Sequence, residues 1–252
     1  MLFILFLGIL RFLFYLFTLF FLGEGVAKEI KVGVSFSIPP YVIDGGRQGV
    51  EVDLLKEAFL DSRHNIKVVA LPLERTFRFF SQKKLDAIIN VERGMIESEL
   101  LTDPVITFYN MIFTISNDVN SVSDLTNKRV VAFQRAKMVL GRDFYMMAKS
   151  NPNYREHAKQ QLQVLQLMRG RVDALVMEEY IFYYYLNKLI NHENLMKGSD
   201  LMGVKIINTL PPVKYHFAFH DSELREIFNR QLGLMQTDGR YKNILQKYGL
   251  IK

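Results

Sequence analysis

The chain has no cysteine. That absence excludes a disulfide framework, thiolate metal ligands, a cysteine nucleophile and a lipid-modified cysteine at a processing site. Stability must come from an apolar core alone, which 252 residues can build as one large domain or two small lobes. Also missing is any dense block of lysine and arginine. The net charge is +6, but the basic residues are spread through helical stretches and read as a solvated surface. Nucleic-acid binding would call for a concentrated basic stripe, so no nucleic-acid partner is expected. No Gly-x-Ser-x-Gly elbow presents a nucleophile. The five histidines (His64, His157, His192, His216, His220) make no metal motif. His216 and His220 stand four apart, but in a strand-like stretch without the glutamate a zinc protease needs. Neither a metal nor a cofactor is expected.

What the chain does have begins with a leader. Met1 to Leu22 is almost entirely Leu, Phe and Ile, broken by Gly8, Arg11 and Thr18. Gly23-Glu24-Gly25-Val26-Ala27 follows, a small-residue pattern suited to cleavage after Ala27. Residues 1–27 read as a signal peptide that directs export, with a retained membrane anchor as the alternative. After it, no apolar run is long enough to span a bilayer.

The rest is organised around a repeat. Leu85-Asp86-Ala87-Ile88-Ile89-Asn90-Val91-Glu92-Arg93 has a partner in Val172-Asp173-Ala174-Leu175-Val176-Met177-Glu178-Glu179. Each follows an amphipathic helical pattern and a basic-rich turn, runs Asp-Ala-apolar-apolar, and ends in polar or charged residues. A short apolar run of this kind predicts a buried strand of a parallel sheet. Ligands of such sheets sit beyond the carboxyl ends of the strands. Two copies imply two sheets with a polar strand end each.

Strands are expected over Glu29–Ser35, Ile66–Leu71, Lys128–Phe133, Leu201–Ile206 and Lys214–Phe219. Helices are expected over Val50–Leu60, Glu74–Phe80, Lys137–Lys149, Tyr180–Ile190, Glu223–Met235 and Arg240–Tyr248. Phe77 and Phe80 share a helical face and read as core. Within Phe182 to Tyr185, Phe182 should face inward with Leu186 while one or two tyrosines stay wet. Val105 to Ile115 is longer than one compact strand needs and suits a passage between lobes. Ser150 to Gln161 reads as a polar connector. The expected organisation is α/β with two lobes: 28–111 and a return over 208–252 in the first, 112–207 in the second. Two crossing strands would form a hinge.

Several motifs together give a resemblance. They are the strand and Pro-aromatic turn over Ile30 to Tyr41, Gly49-Val50-Glu51-Val52-Asp53-Leu54, and Asp124-Leu125-Thr126-Asn127-Lys128-Arg129-Val130. To these are added Gly170 to Ala174, and the ending with Asn229, Leu232 and Asp238 to Tyr248. In order and spacing they resemble the family-3 extracellular solute-binding proteins, the periplasmic receptors of ABC importers for polar amino acids. The resemblance implies the type II periplasmic-binding-protein fold and a monomeric, non-enzymatic protein of the periplasm. It would bind a small polar ligand (an amino acid or related small acid) and deliver it to a membrane ABC permease. A sensory or orphan receptor of the same fold is the alternative, and a periplasmic lyase acting on a small acid a more distant one.

The resemblance also implies a site. Family members clamp a ligand carboxylate with an arginine after the first Asp-Ala strand, but Ser98 stands at that register here. A guanidinium suits a carboxylate because two parallel N–H donors match two oxygens. Arg93, Arg135 and Arg75 are therefore the candidates, each with a solvated surface position as its alternative. Arg135-Ala136-Lys137 replaces the family's Arg-Gly-Thr turn. Glu178, with Glu179 beside it, aligns with the carboxylate that receives a ligand ammonium group. Asn90 is placed to hydrogen-bond either polar end. The family's aromatic platform falls at Ile38, with Phe36 and Tyr41 near enough to serve.

Overall fold

The computed structural model describes residues 28–35, 37–191 and 203–251. The leader at 1–27, the aromatic Phe36 and Leu201-Met202 at the start of the expected fourth connector strand lie outside them. Two five-stranded sheets carry the fold. The first holds β1 (Glu29–Ser35), β2 (Asn65–Leu71), β3 (Ala87–Glu92), β4 (Ile106–Phe108) and β10 (Val213–Phe219) in the order β2-β1-β3-β10-β4. The second holds β5 (Asn110–Thr114), β6 (Val130–Phe133), β7 (Tyr154–His157), β8 (Ala174–Glu178) and β9 (Lys205–Ile207) in the order β7-β6-β8-β5-β9. Position by position the two sheets are alike. Three parallel strands are followed by an antiparallel one and a short edge strand.

The helices lie against these sheets. They are α1 (Val50–Ala58), α2 (Leu73–Ser81), α3 (Ala136–Val139), α4 (Arg142–Ser150), α5 (Gln160–Met168), α6 (Glu179–Asn191), α7 (Ser222–Asp238) and α8 (Arg240–Lys247). Every residue of β8 is buried, the pattern of a strand covered on both faces. In the second lobe Phe113 stacks on Phe182 with ring centroids 3.7 Å apart. As expected, Phe182 and Leu186 are buried while Tyr183 is exposed. In the first lobe Phe228 of α7 packs between Phe217, Phe219 and Phe59. Asp221 caps α7 by accepting from Glu223 N and Leu224 N, and Gly239, at φ +90°, ends it.

The Asp-Ala repeat has a physical cause. Asp86 Oδ2 accepts from Lys31 N at 2.8 Å, while Asp86 N donates to Lys31 O at 2.9 Å. Asp173 repeats this on Arg129, with Oδ2 accepting from Arg129 N at 2.8 Å and Asp173 N donating to Arg129 O at 2.9 Å. Each aspartate therefore ties the entry of its own strand to the entry of the neighbouring first strand. The antiparallel strands read the same residues: His220 N donates to Asp86 O, and Thr114 Oγ1 donates to Asp173 O. Three strands of each sheet are thus registered at one aspartate.

Two passages join the lobes. Tyr109 alone separates β4 from β5, and residues 208–212, with Pro211-Pro212, separate β9 from β10. Three local expectations are corrected. The helix expected over Lys137–Lys149 is two, α3 and α4, because Gly141 between them takes φ +89°. The polar connector contains β7, an edge strand whose polarity reflects its exposed side. Phe77 is core only in part: it packs against the cluster around Phe80, which stacks on His220, but it also faces the gap between the lobes.

Replacing either aspartate by alanine should cost about 1–3 kcal/mol, the value of a hydrogen bond to a charged group. Asp173→Ala should cost more, because Asp173 also pairs with the Arg129 guanidinium at 2.6 Å. The two losses should add, since the residues share no partner. Urea unfolding of the single and double variants measures this. Losses below about 0.5 kcal/mol in both would make the repeat a coincidence.

Candidate functional site

Strand ends from both sheets meet at a cavity of about 710 Å³, a volume suited to one small-molecule ligand. Its floor is at the first crossing. Asn110, the first residue of β5, lies directly opposite Glu178, the last of β8. Both side chains are buried, at 1% and 2% exposure. Glu178 Oε2 accepts from Ile181 N at 3.0 Å and so caps α6, but Oε1 has no hydrogen-bond partner. Neither amide atom of Asn110 has one. Burial pushes the Glu178 carboxyl up to about 8, against the Ile181 N–H and the Tyr41 phenol, which favour the charged form. Unpaired polar atoms at such depth are rare and costly, and they call for a partner.

Asn90 completes the floor from the first lobe. It takes φ +62°, and the pairing of β3 with β10 shifts there, so β3 carries a bulge. The bulge turns Asn90 toward the cavity while Nδ2 donates to Glu51 Oε2 at 3.0 Å. Glu51 is fully buried in α1, its other oxygen is unpartnered, and burial raises it to about 7.

The rim is closed by an ion pair between lobes. Arg135 Nε and Nη2 donate to Glu74 Oε1 and Oε2 at 3.0 Å each, and the guanidinium lies 4.7 Å from the Phe77 ring centroid. Arg135 itself takes φ +69°, a conformation a branched-chain-free but non-glycine residue adopts only when held. What holds it is Glu156, which accepts from Arg135 N at 2.9 Å, Lys137 N at 3.0 Å and Tyr154 OH at 2.8 Å. The second-lobe turn therefore already carries a carboxylate of the protein's own.

Of the residues singled out in the sequence, Ile38, Asn90, Arg135 and Glu178 line the cavity. Tyr41 is buried behind it, its ring 4.2 Å from Phe108 and its phenol beside Glu178, which with burial raises its pKa. Arg93 and Arg75 are exposed and outside the lining, as is Ser98. Gly94, at φ +93°, turns the chain just after β3, and Met95 rather than Arg93 reaches the cavity. Glu179 starts α6 and is half-buried outside the lining. Phe36 lies outside the described residues. Asn110, Phe77, Glu74 and Glu156 were not foreseen. Asn110 had a signal, being the one amide within the apolar run Val105 to Ile115. Glu156 had none, since its role depends on β7. Among the described residues no cluster of His, Cys, Asp and Glu is arranged to hold a metal. His216 and His220 instead bond the backbone carbonyls of Thr102 and Phe80.

Solved structures share this architecture. A histidine kinase sensor domain with similarity to periplasmic binding proteins superposes with a TM-score of 0.72 at 18% identity, covering 88% of this chain and 96% of that one. The arginine-, lysine-, histidine-binding protein ArtJ from Geobacillus stearothermophilus gives 0.69 at 17%, covering 89% and 96%. The ancestral amino acid-binding protein AncCDT-1, a precursor of cyclohexadienyl dehydratase, gives 0.65 at 21%, covering 87% and 95%. At these identities the likeness establishes the fold, that of the periplasmic binding proteins. No curated protein matches the sequence. The model of one family does match, over residues 30–251, nearly the whole of the described chain. The chain belongs to the bacterial extracellular solute-binding proteins, family 3.

Proposed function

We propose that the protein binds a small polar solute carrying an ammonium group between its lobes, and that the loaded form is handed to an ABC importer in the membrane. The observation that carries the reading is the unpartnered Glu178 Oε1 set opposite the unpartnered amide of Asn110. With Asn90, whose Nδ2 is spent on Glu51, they offer acceptors to the three N–H donors of an ammonium group. Amino acids are the solutes named for two of the similar structures, and they carry that group. A small acid without an ammonium group fits less well, because the Arg135 guanidinium is already paired with Glu74. Export to the periplasm, action as a monomer and delivery to a permease rest on the leader pattern and on the family. A sensory role is the second reading, favoured by the likeness to a kinase sensor domain. Co-purification with importer subunits rather than a signalling partner would separate the two, and an unaltered solute after incubation would exclude a lyase.

Glu178 makes the binding pH-dependent. A cation needs the carboxylate, and with its pKa near 8 the group is mostly protonated at pH 6. Affinity should therefore rise by up to about tenfold per pH unit between 6 and 8 and level off above. Tyr41, Tyr180 and Tyr215 face the same group and are raised away from this range. Glu51, near 7 and bonded to Asn90 on the lining, adds a second shallower rise, and Glu179 adds a nearby negative charge. Calorimetric titration from pH 6 to 9 against an ammonium-bearing solute found by thermal-shift screening measures the profile. Glu178→Gln should abolish the thermal shift; a full shift in that variant would remove the ammonium from this floor.

The rim pair should matter less. Arg135 and Glu74 are partly exposed, at 30% and 63% of their side chains, so the pair stabilises the closed form by under about 1 kcal/mol. Glu74→Ala should weaken binding about two- to fivefold and increase the radius of gyration of the unliganded protein in small-angle scattering. An unchanged radius would mean that the lobes are held together elsewhere.

A further inference from the structure

We infer that this cleft selects primary amines bearing no carboxylate beside the amino group, and discriminates against the corresponding α-amino acids. The inference rests on the reading that an ammonium group sits between Glu178 and Asn110. An α-amino acid would bring its carboxylate within two bonds of that nitrogen, into the same buried space. The second-lobe turn that reaches the lining through Gln134 and Arg135 has two backbone donors, Arg135 N and Lys137 N, and Glu156 accepts from both. The guanidinium of Arg135 is held by both oxygens of Glu74. The other lysine or arginine on the lining, Lys159, is an exposed residue preceding α5. Arg75 and Arg93 are outside it. A ligand carboxylate would have to displace one of the protein's own or settle for the neutral Asn110 amide or the exposed Lys159, each a weaker partner than a buried guanidinium. It would also meet the buried acid Glu178, with Glu51 behind Asn90, and like charges at short range disfavour each other.

The rest of the lining suits what an amine carries instead of a carboxylate. Ile38, Leu73, Phe77, Phe108, Val139 and Tyr185 surround the floor with apolar and aromatic surface. An aryl or alkyl body there gains from leaving water while its ammonium meets three acceptors. Selectivity of this form comes from what the site withholds as much as from what it offers.

Matched pairs test the inference. Phenethylamine against phenylalanine, tyramine against tyrosine, cadaverine against lysine and agmatine against arginine are titrated calorimetrically into the purified protein. At least one amine should bind at least about tenfold more tightly than its amino acid, the cost of one unpaired buried charge or displaced ion pair. An amino acid that binds as tightly as its amine in every binding pair overturns the inference but leaves the ammonium reading standing. Binding of none of the eight compounds overturns both. Glu156→Ala uncovers the two backbone donors and should narrow the gap between amine and amino acid. If that variant does not fold, Glu74→Ala, which frees the Arg135 guanidinium, should narrow it instead. A folded variant with the full gap unchanged overturns the assignment of selectivity to these occupied donors.

Discussion

A strand buried on both faces can place a polar side chain only at its ends, and this constraint shapes the whole molecule. In β3 and β8 the entry end carries an aspartate, and the floor residues come from the bulge in the second half of β3 and the exit end of β8. Asp86 and Asp173 are spent on backbone N–H groups of the neighbouring first strand. Asn90 and Glu178, four and five residues on, are the polar groups left where the sheets meet. One short segment, used twice, thus supplies a structural clamp at one end and a polar cavity-lining group toward the other.

The floor is expensive when nothing occupies it. Glu178 Oε1, both amide atoms of Asn110 and Glu51 Oε1 lack hydrogen bonds while almost fully buried. Protonation of the two acids near neutral pH lowers the cost by removing charge, as their raised values express. It does not remove the cost, since a neutral unpaired donor or acceptor is still penalised. In the proposed function, an ammonium group that reaches Glu178 Oε1 and Asn110 Oδ1 supplies donors that the protein itself does not. Such a design ties affinity to a complete hydrogen-bonding match, because a ligand that leaves one of the atoms unpaired recovers only part of the penalty.

Much of this was legible from residues alone. The Asp-Ala repeat located both central strands, and the alternation and helix patterns placed most elements within a few residues of their bounds. Glu178 and Asn90 could be picked out because a polar residue at the end of an apolar run has little reason to be there except a strand terminus. Arg93 and Arg75 illustrate the limit. Charge and proximity in sequence suggested them, but a glycine turn after β3 and the outward face of α2 leave both in solvent. Phe77 shows a related limit: helical spacing puts it on the face of Phe80, where it does pack against the core, but cannot say that it also reaches the cavity. Glu74 and Glu156 depend on pairings between segments far apart in the chain, which no local pattern encodes.

Recognition and closure are carried by different parts of the cleft. Asn110 is the residue after Tyr109, and Glu179 N donates to Tyr109 O, so the floor is built on the crossing itself. Rotation of one lobe about that crossing moves atoms near the pivot least and atoms at the rim most. The Asn110–Glu178 pair can therefore keep its geometry in open and closed forms, presenting the same acceptors to an arriving solute. Glu74 and Arg135, on α2 and just before α3, meet only when the lobes approach. Their pair is partly solvated and correspondingly weak, which keeps closure reversible. In the proposed function, most of the affinity comes from burial and hydrogen bonding at the pivot, and the rim adds a modest ion pair that favours the closed form. A substitution at the floor should then change affinity far more than one at the rim, and the two sets of residues share no hydrogen bond.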